Sequence, residues 1–203
     1  MARDASRHPN RRRALALMAA PAVPPTLAAT PTAEQRALIV CVTRNTAALA
    51  RLIQAQTGAR LQRLEADPPY PSDYPAHVDR VVRENARGDW PAVAAPAVDV
   101  APWDTVFIGF PTWDMALPPP LQRWLREVDL RGKRVLSFNT HAGYGVGSGF
   151  DTVARLCAGS TVLPGLSLEG GYEKRGIGLA LQGARLQAAD RQVHAWLQRV
   201  ARA

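Results

Sequence analysis

Four consecutive residues, Thr43-Arg44-Asn45-Thr46, place two hydroxyls, an amide and a guanidinium between an apolar run ending at Val42 and an amphipathic segment with Leu49, Leu52 and Ile53 on one face. The first N–H groups of a helix lack intrahelical partners, and the helix dipole is positive at that end. An anion such as a phosphate is therefore favoured there. The same residue types also suit plain capping, with Asn45 or Thr46 satisfying the N–H groups from within the chain. Both readings are open on these four residues alone.

Two further groups fall at equivalent places. Pro111-Thr112-Trp113-Asp114 follows an apolar stretch, and Pro118-Pro119-Pro120 stiffens what comes next. A large ring on such a loop makes a platform for a flat ligand, or else it folds back onto the core. The segment Thr140-His141-Ala142-Gly143-Tyr144-Gly145 opens a loop with glycines at 143, 145, 147 and 149. Glycine lets backbone approach a ligand closely and offer its N–H groups. The spacing is not G-x-G-x-x-G, because residues 148 and 150 are Ser148 and Phe150. A nicotinamide dinucleotide held in that manner is disfavoured.

Secondary-structure signals bring these groups together. Apolar runs predict strands over 37–42, 60–65, 105–110, 134–138 and 161–168, the last interrupted at Pro164-Gly165. Helical patterns lie between them. One follows residue 46 and ends near Thr57-Gly58, and others cover 77–86 (Val78, Val81 and Val82 on one side), 119–128 and 150–157. A last helix carries Leu186, Ala189, Val193, Trp196 and Val200. Residues 66–75 and 88–104 read as proline-rich loop and coil. Strand–helix alternation predicts an α/β fold: a doubly wound, five-stranded parallel sheet covered on both faces. In that architecture ligands bind beyond the carboxyl ends of the strands, where all three groups fall. A planar ring with a phosphate tail suits a phosphate site, an aromatic platform and a backbone-rich edge together, and flavin mononucleotide (FMN) is such a ligand.

Composition narrows the class. The 203 residues suit one domain, with 47% hydrophobic and 21% charged residues. The formal charge of +8 raises nucleic acid as a partner. Half of that charge comes from the first 29 residues, where Arg3, Arg7, Arg11, Arg12 and Arg13 face one acid, Asp4. The remainder is scattered along helices with no basic run between aromatics, so nucleic acid is not expected. Cys41 and Cys157 lie in no metal-type spacing, so no metal is expected, and Cys41 suits a buried apolar position. Residues 1–29 combine an arginine cluster, a weakly apolar stretch from Ala14 to Val23 and small residues at Leu27-Ala28-Ala29. That stretch is too short to span a membrane, and it reads as an export signal of twin-arginine type around Arg12-Arg13. The expected organisation is a signal over 1–29 and one domain over 30–203, with a periplasmic or exported destination. The alternative is a basic tail on a cytoplasmic protein.

With the three loops assembled, the chain resembles the flavodoxin-like family, nearest to small bacterial members. The resemblance runs from about Leu38 to Gly170 and is carried by "LIVCVTRNT", "PPYPSDYPAHVDRV", "DTVFIGFPTWDMALPPPLQRWLREVDLRGKRV", "FNTHAGYGVGSG" and "TVLPGLSLEGG". It implies a sheet of strand order 2-1-3-4-5 and FMN as cofactor. Thr43, Arg44, Asn45 and Thr46 would lie at the phosphate, Pro111 to Asp114 over one ring face, and Thr140 to Gly145 along the ring's other edge. The family's first loop runs Ser/Thr-x-Thr-Gly-Asn-Thr. Here it is two residues shorter and has no glycine, so weaker binding is expected: two lost charge-assisted bonds of ~1.5–3 kcal/mol each weaken binding roughly a hundredfold or more. The implied activity is electron transfer to a redox partner protein, or oxidoreductase chemistry on a small quinone-like acceptor. Residues 171–185 are extra material without an assigned role. The alternative function is a non-catalytic binding module that keeps the fold without flavin.

Overall fold

A computed structural model describes residues 36–42, 44–94, 98–171 and 181–202, without the side chains of Arg44 and Asn45. The expected export signal lies outside the described residues. So do Thr43 and most of the extra segment before the last helix.

Strand β1 (Ala37–Cys41) is buried along its whole length, as its unbroken run of apolar residues requires. It pairs in parallel on both sides, with β2 (Arg60–Arg63) and with β5 (Thr105–Pro111). Strands β6 (Arg134–His141) and β7 (Thr161–Glu169) complete a five-stranded parallel sheet in the order β2-β1-β5-β6-β7. A separate antiparallel pair, β3 (Ala66–Asp67) with β4 (Ala92–Val93), stands where the sequence suggested only loop and coil. With that pair set aside, the sheet strands run second, first, third, fourth, fifth in chain order.

Alternate residues of each strand point to opposite faces. Ile39, Cys41, Phe107, Leu136 and Phe138 pack against α1 (Arg44–Thr57) and α5 (Gly183–Val200). Leu38, Val40, Val106, Ile108, Phe110 and Val135 pack against α3 (Pro119–Glu127) and α4 (Gly149–Leu156). Trp196 of α5 closes the first core. Its ring meets Phe107 edge to face at 6.0 Å, and its indole N–H donates to the Pro164 carbonyl at 2.7 Å. Cys41 lies inside this core, and burial pushes its thiol pKa up to about 11, as expected of a small apolar residue.

Three expectations need correction. β7 is not broken at Pro164-Gly165. It bulges there, since Leu136 pairs with Leu163 but Phe138 pairs with Leu166. Proline is tolerated because β7 lies at the sheet edge, where one side of the ladder needs no N–H donor. The second helix, α2 (Tyr74–Arg87), starts earlier than expected. Asp73 caps it by accepting from the Ala76 N–H at 3.0 Å, and Gly88 ends it in the left-handed region at φ 64°. Of its three valines only Val81 is buried, while Val78 and Val82 face solvent. Finally, α1 begins at Arg44, so Arg44, Asn45 and Thr46 form its first turn instead of preceding it.

Gly109 of β5 tests the packing between neighbouring strands. A Cβ there would stand 2.2 Å from the Phe138 ring, on the paired residue of β6. Gly109→Ala is expected to destabilise the fold by about 1–3 kcal/mol, the usual cost of overpacking a core. A lower urea midpoint with an unchanged slope is the expected readout, and an unmoved midpoint contradicts the tight β5–β6 approach.

Candidate functional site

The carboxyl ends of β1, β5 and β6 each lead into one of the three sequence-marked loops, and side-chain hydrogen bonds draw those loops together. The Thr46 hydroxyl, in the first turn of α1, is fully buried and lies 2.8 Å from the equally buried Thr140 hydroxyl near the end of β6. Thr112, just past β5, donates its backbone N–H to the Thr140 carbonyl at 2.9 Å and its hydroxyl to the Gly145 carbonyl at 2.8 Å. Residues far apart in sequence thus form one polar seam across the top of the sheet.

The second loop is a tight hairpin. Trp113 and Ala116 exchange backbone hydrogen bonds at 3.2 and 2.9 Å, and Asp114 and Met115 between them sit at φ 51° and 52°. Asp is tolerated at positive φ, but the same conformation costs roughly 1–2 kcal/mol at Met115, so other contacts help to hold the turn. Asn85 of α2 donates to the Asp114 carboxylate at 3.1 Å, and the Ser148 N–H donates to the Met115 carbonyl at 2.9 Å. Gly147 lies against the same backbone, where a Cβ would meet the Met115 carbonyl oxygen at 2.0 Å. That contact, with φ 58° at Gly147, explains one of the loop's glycines.

Trp113 is half-buried, neither folded into the core nor free of support. Its ring meets Tyr70 at 5.1 Å and His77 at 4.5 Å, both near right angles, while Tyr70 and His77 stack on each other at 4.7 Å. The Tyr70 hydroxyl donates to the Glu84 carboxylate. Glu84 also receives Arg80 Nε at 2.7 Å, and the Arg80 guanidinium lies 4.2 Å over the Tyr70 ring. These supports come from the proline-rich loop and α2. Sequence reasoning marked that stretch only through the family resemblance, and nothing in its spacing ties Tyr70 or Glu84 to Trp113.

The third loop leaves the sheet at Thr140 and His141. His141 Nδ1 accepts the Gly143 N–H at 3.2 Å, which leaves the ring proton of the neutral form on Nε2. Gly143 and Gly145 take φ 101° and 84°. Ala142 is half-buried and Tyr144 is 50% exposed, as is Met115 at 49% on the facing loop. In the first loop, Thr46 lies in the opening turn of α1, which Arg44 begins, and Thr43 lies outside the described residues. The sequence reading missed Asn139, a fully buried amide inside β6. Its position directly before Thr140, in a strand that alternates buried apolar and polar residues toward its carboxyl end, was the available signal.

Both histidines near the loops hold lowered pKa values. For His77 the cause is burial first, reinforced by the Arg80 charge and opposed by a hydrogen bond to Pro71 and by Glu84. For His141 it is burial, opposed by Glu169. A histidine that protonates more readily unfolded than folded makes the unfolded state the better proton binder, so stability rises with pH in that range. Stability should be level above the ordinary histidine value of 6.5 and fall as pH drops below it. His77→Phe, which keeps a ring in the stack, should flatten part of that decline. Urea midpoints at several pH values check this, and a midpoint that rises on acidification contradicts it.

The sequence matches the flavodoxin family over residues 37–178. No curated protein matches the chain. Among solved structures, a provisionally assigned flavoprotein from Bacteroides eggerthii is 23% identical, with a TM-score of 0.64 over 81% of this chain and 97% of its own. A second, from Bacteroides uniformis, is 20% identical, with a TM-score of 0.61 over 70% of this chain and 94% of its own. A flavoprotein from Lactobacillus acidophilus, solved in complex with FMN, is 20% identical, with a TM-score of 0.58 over 66% of this chain and 92% of its own. At these identities the structural likeness speaks for the fold, and the family assignment rests on the sequence match over the whole five-stranded sheet and all three loops: the chain belongs to the flavodoxin family.

Proposed function

We propose that the chain binds FMN in the crevice between its three loops and acts in electron transfer. The observation that carries this reading is the seam joining Thr46, Thr140, Thr112 and Gly145, because it gathers a helix start, an aromatic platform and a glycine loop at one end of the sheet. The donor set suits the group. The first turn of the 14-residue α1 offers N–H groups and the positive end of a dipole to a phosphate. The Thr43 to Thr46 turn would hold that end. Trp113, on its stiff hairpin with Pro111, Thr112 and Asp114, offers a ring face, and Tyr144 stands exposed on the facing loop. The backbone from Thr140 to Gly145 would run along the ring edge, with His141 Nε2 as a further donor.

The flavin, when bound, supplies one- and two-electron redox chemistry, and the protein supplies binding, orientation and local electrostatics. In the carrier version the acceptor is a redox partner protein. In the oxidoreductase version it is a small quinone-like molecule, for which His141 and Tyr144 would be the candidate proton donors. The short, glycine-free first loop favours a second reading, a binding module that keeps the fold without flavin. The Thr46 hydroxyl also meets Thr140, so it would be shared between that contact and a phosphate.

Titration of the apo-protein with FMN, followed by flavin fluorescence, separates these readings. Saturable quenching is expected. Because a helix terminus contributes at most about 2 kcal/mol to an anion, that end alone should make FMN bind no more than about thirtyfold tighter than riboflavin. Trp113→Ala should weaken both ligands by roughly two- to tenfold, the loss of one aromatic contact of about 0.5–1.5 kcal/mol. No quenching at about 1 mM FMN, an affinity near the weakest end of specific binding, would favour the empty module.

The proposal extends to location. Arg12-Arg13 and the mild apolar stretch behind them support export through the twin-arginine route, which carries folded proteins and so suits a cofactor loaded in the cytoplasm. Among the described residues no helix is long and apolar enough to cross a membrane. Replacing Arg12 and Arg13 by lysine should trap the chain in the cytoplasm, as fractionation would report, whereas unchanged export contradicts the route.

A further inference from the structure

Asn139 sits fully buried where β6 approaches the loops, and its amide is used from both ends. Nδ2 donates to the Phe110 carbonyl at 3.1 Å and to the Thr112 hydroxyl oxygen at 3.1 Å. Oδ1 lies 3.0 Å from the Ser167 hydroxyl on β7. The Phe110 carbonyl can only accept, so the amide must turn its NH2 toward β5 and its oxygen toward Ser167. That one carbonyl then sets every proton in the chain. Ser167 donates to Asn139, Asn139 donates to Thr112, and the Thr112 proton is left for the Gly145 carbonyl at 2.8 Å, not for Asn139 Oδ1 at 3.5 Å.

We infer that Ser167, Asn139 and Thr112 form a one-way hydrogen-bond relay, and that Asn139 is a positioning residue which fixes the glycine loop against the Trp113 hairpin. The relay spans three adjacent strands and ends on the backbone of the loop proposed to run along the flavin edge. It thus rests on the FMN reading for its functional meaning, though not for its existence. A buried amide is costly unless its hydrogen bonds are made, and an apolar residue here would fill the core without fixing the loop. The relay acts on the ring edge and not on the phosphate end, where Thr46 and Thr140 meet separately.

Asn139→Asp tests the direction of the relay. A carboxylate cannot donate to Phe110 or Thr112, so the Thr112 hydroxyl turns toward it and releases Gly145. Thr112→Val releases Gly145 from the other side, and Thr112→Ser keeps the link. Amide hydrogen exchange on the full apo-protein should show the 143–148 amides exchanging faster in N139D and T112V, and unchanged in T112S. With FMN, N139D and T112V should each weaken binding about tenfold, the loss of one ordering contact, and the double variant should be no weaker than either. The weakening should be equal for riboflavin, leaving the ratio of the two affinities as in the wild type. Unchanged exchange in T112V, or fold-changes that multiply in the double variant, overturns the relay. If N139D does not fold, T112V against T112S decides. If the wild type binds no flavin, the cofactor reading fails and the exchange data still judge the relay.

Discussion

Two buried hydroxyls, on Thr46 and Thr140, meet at 2.8 Å across 94 positions of chain. The contact requires the first turn of α1 and the end of β6 to lie side by side. They do so only because β1, β5 and β6 are consecutive parallel strands in register. The apolar faces of the sheet supply the driving force for that arrangement. The hydroxyl pair and the Thr112 bonds beside it mark where the apolar order stops and the polar loops begin. A slip of one residue in β6 would turn Thr140 away from α1 and bring Asn139 into its place, and the whole seam would be lost.

The fold was legible because periodicity is a property of the sequence. Runs such as those in β1 and β5 admit few alternatives, and the alternation with helices implies parallel pairing. The bulge at Pro164-Gly165 was not legible as a continuous strand. Whether proline breaks a strand depends on its being at an edge, and that is a property of the sheet. Val78 and Val82 misled for a related reason: helical spacing identifies a face, but Val81 alone reaches the core. The β3–β4 pair was too short to leave a pattern.

The loops at the strand ends were legible, and the contacts that support them were not. Thr46, Trp113 and the 143–149 glycines stand where strand ends must place them. Tyr70, His77 and Glu84, which back Trp113, and Asn139 and Ser167, which hold the glycine loop, act through contacts across elements that spacing does not encode. The hairpin at Asp114-Met115 is the sharpest case. Asp114 tolerates positive φ but Met115 does not, and Asn85, Gly147 and Ser148 help to hold the turn. Local preference yields there to packing.

The central claim is that three loops form one crevice for one flavin. Amide and indole chemical shifts of the apo-protein, followed through an FMN titration, test it most directly. The account predicts that signals of Thr46, Trp113 and Gly143 move together and saturate at the same FMN concentration. Shifts confined to a single loop, or none at saturating flavin, would contradict it.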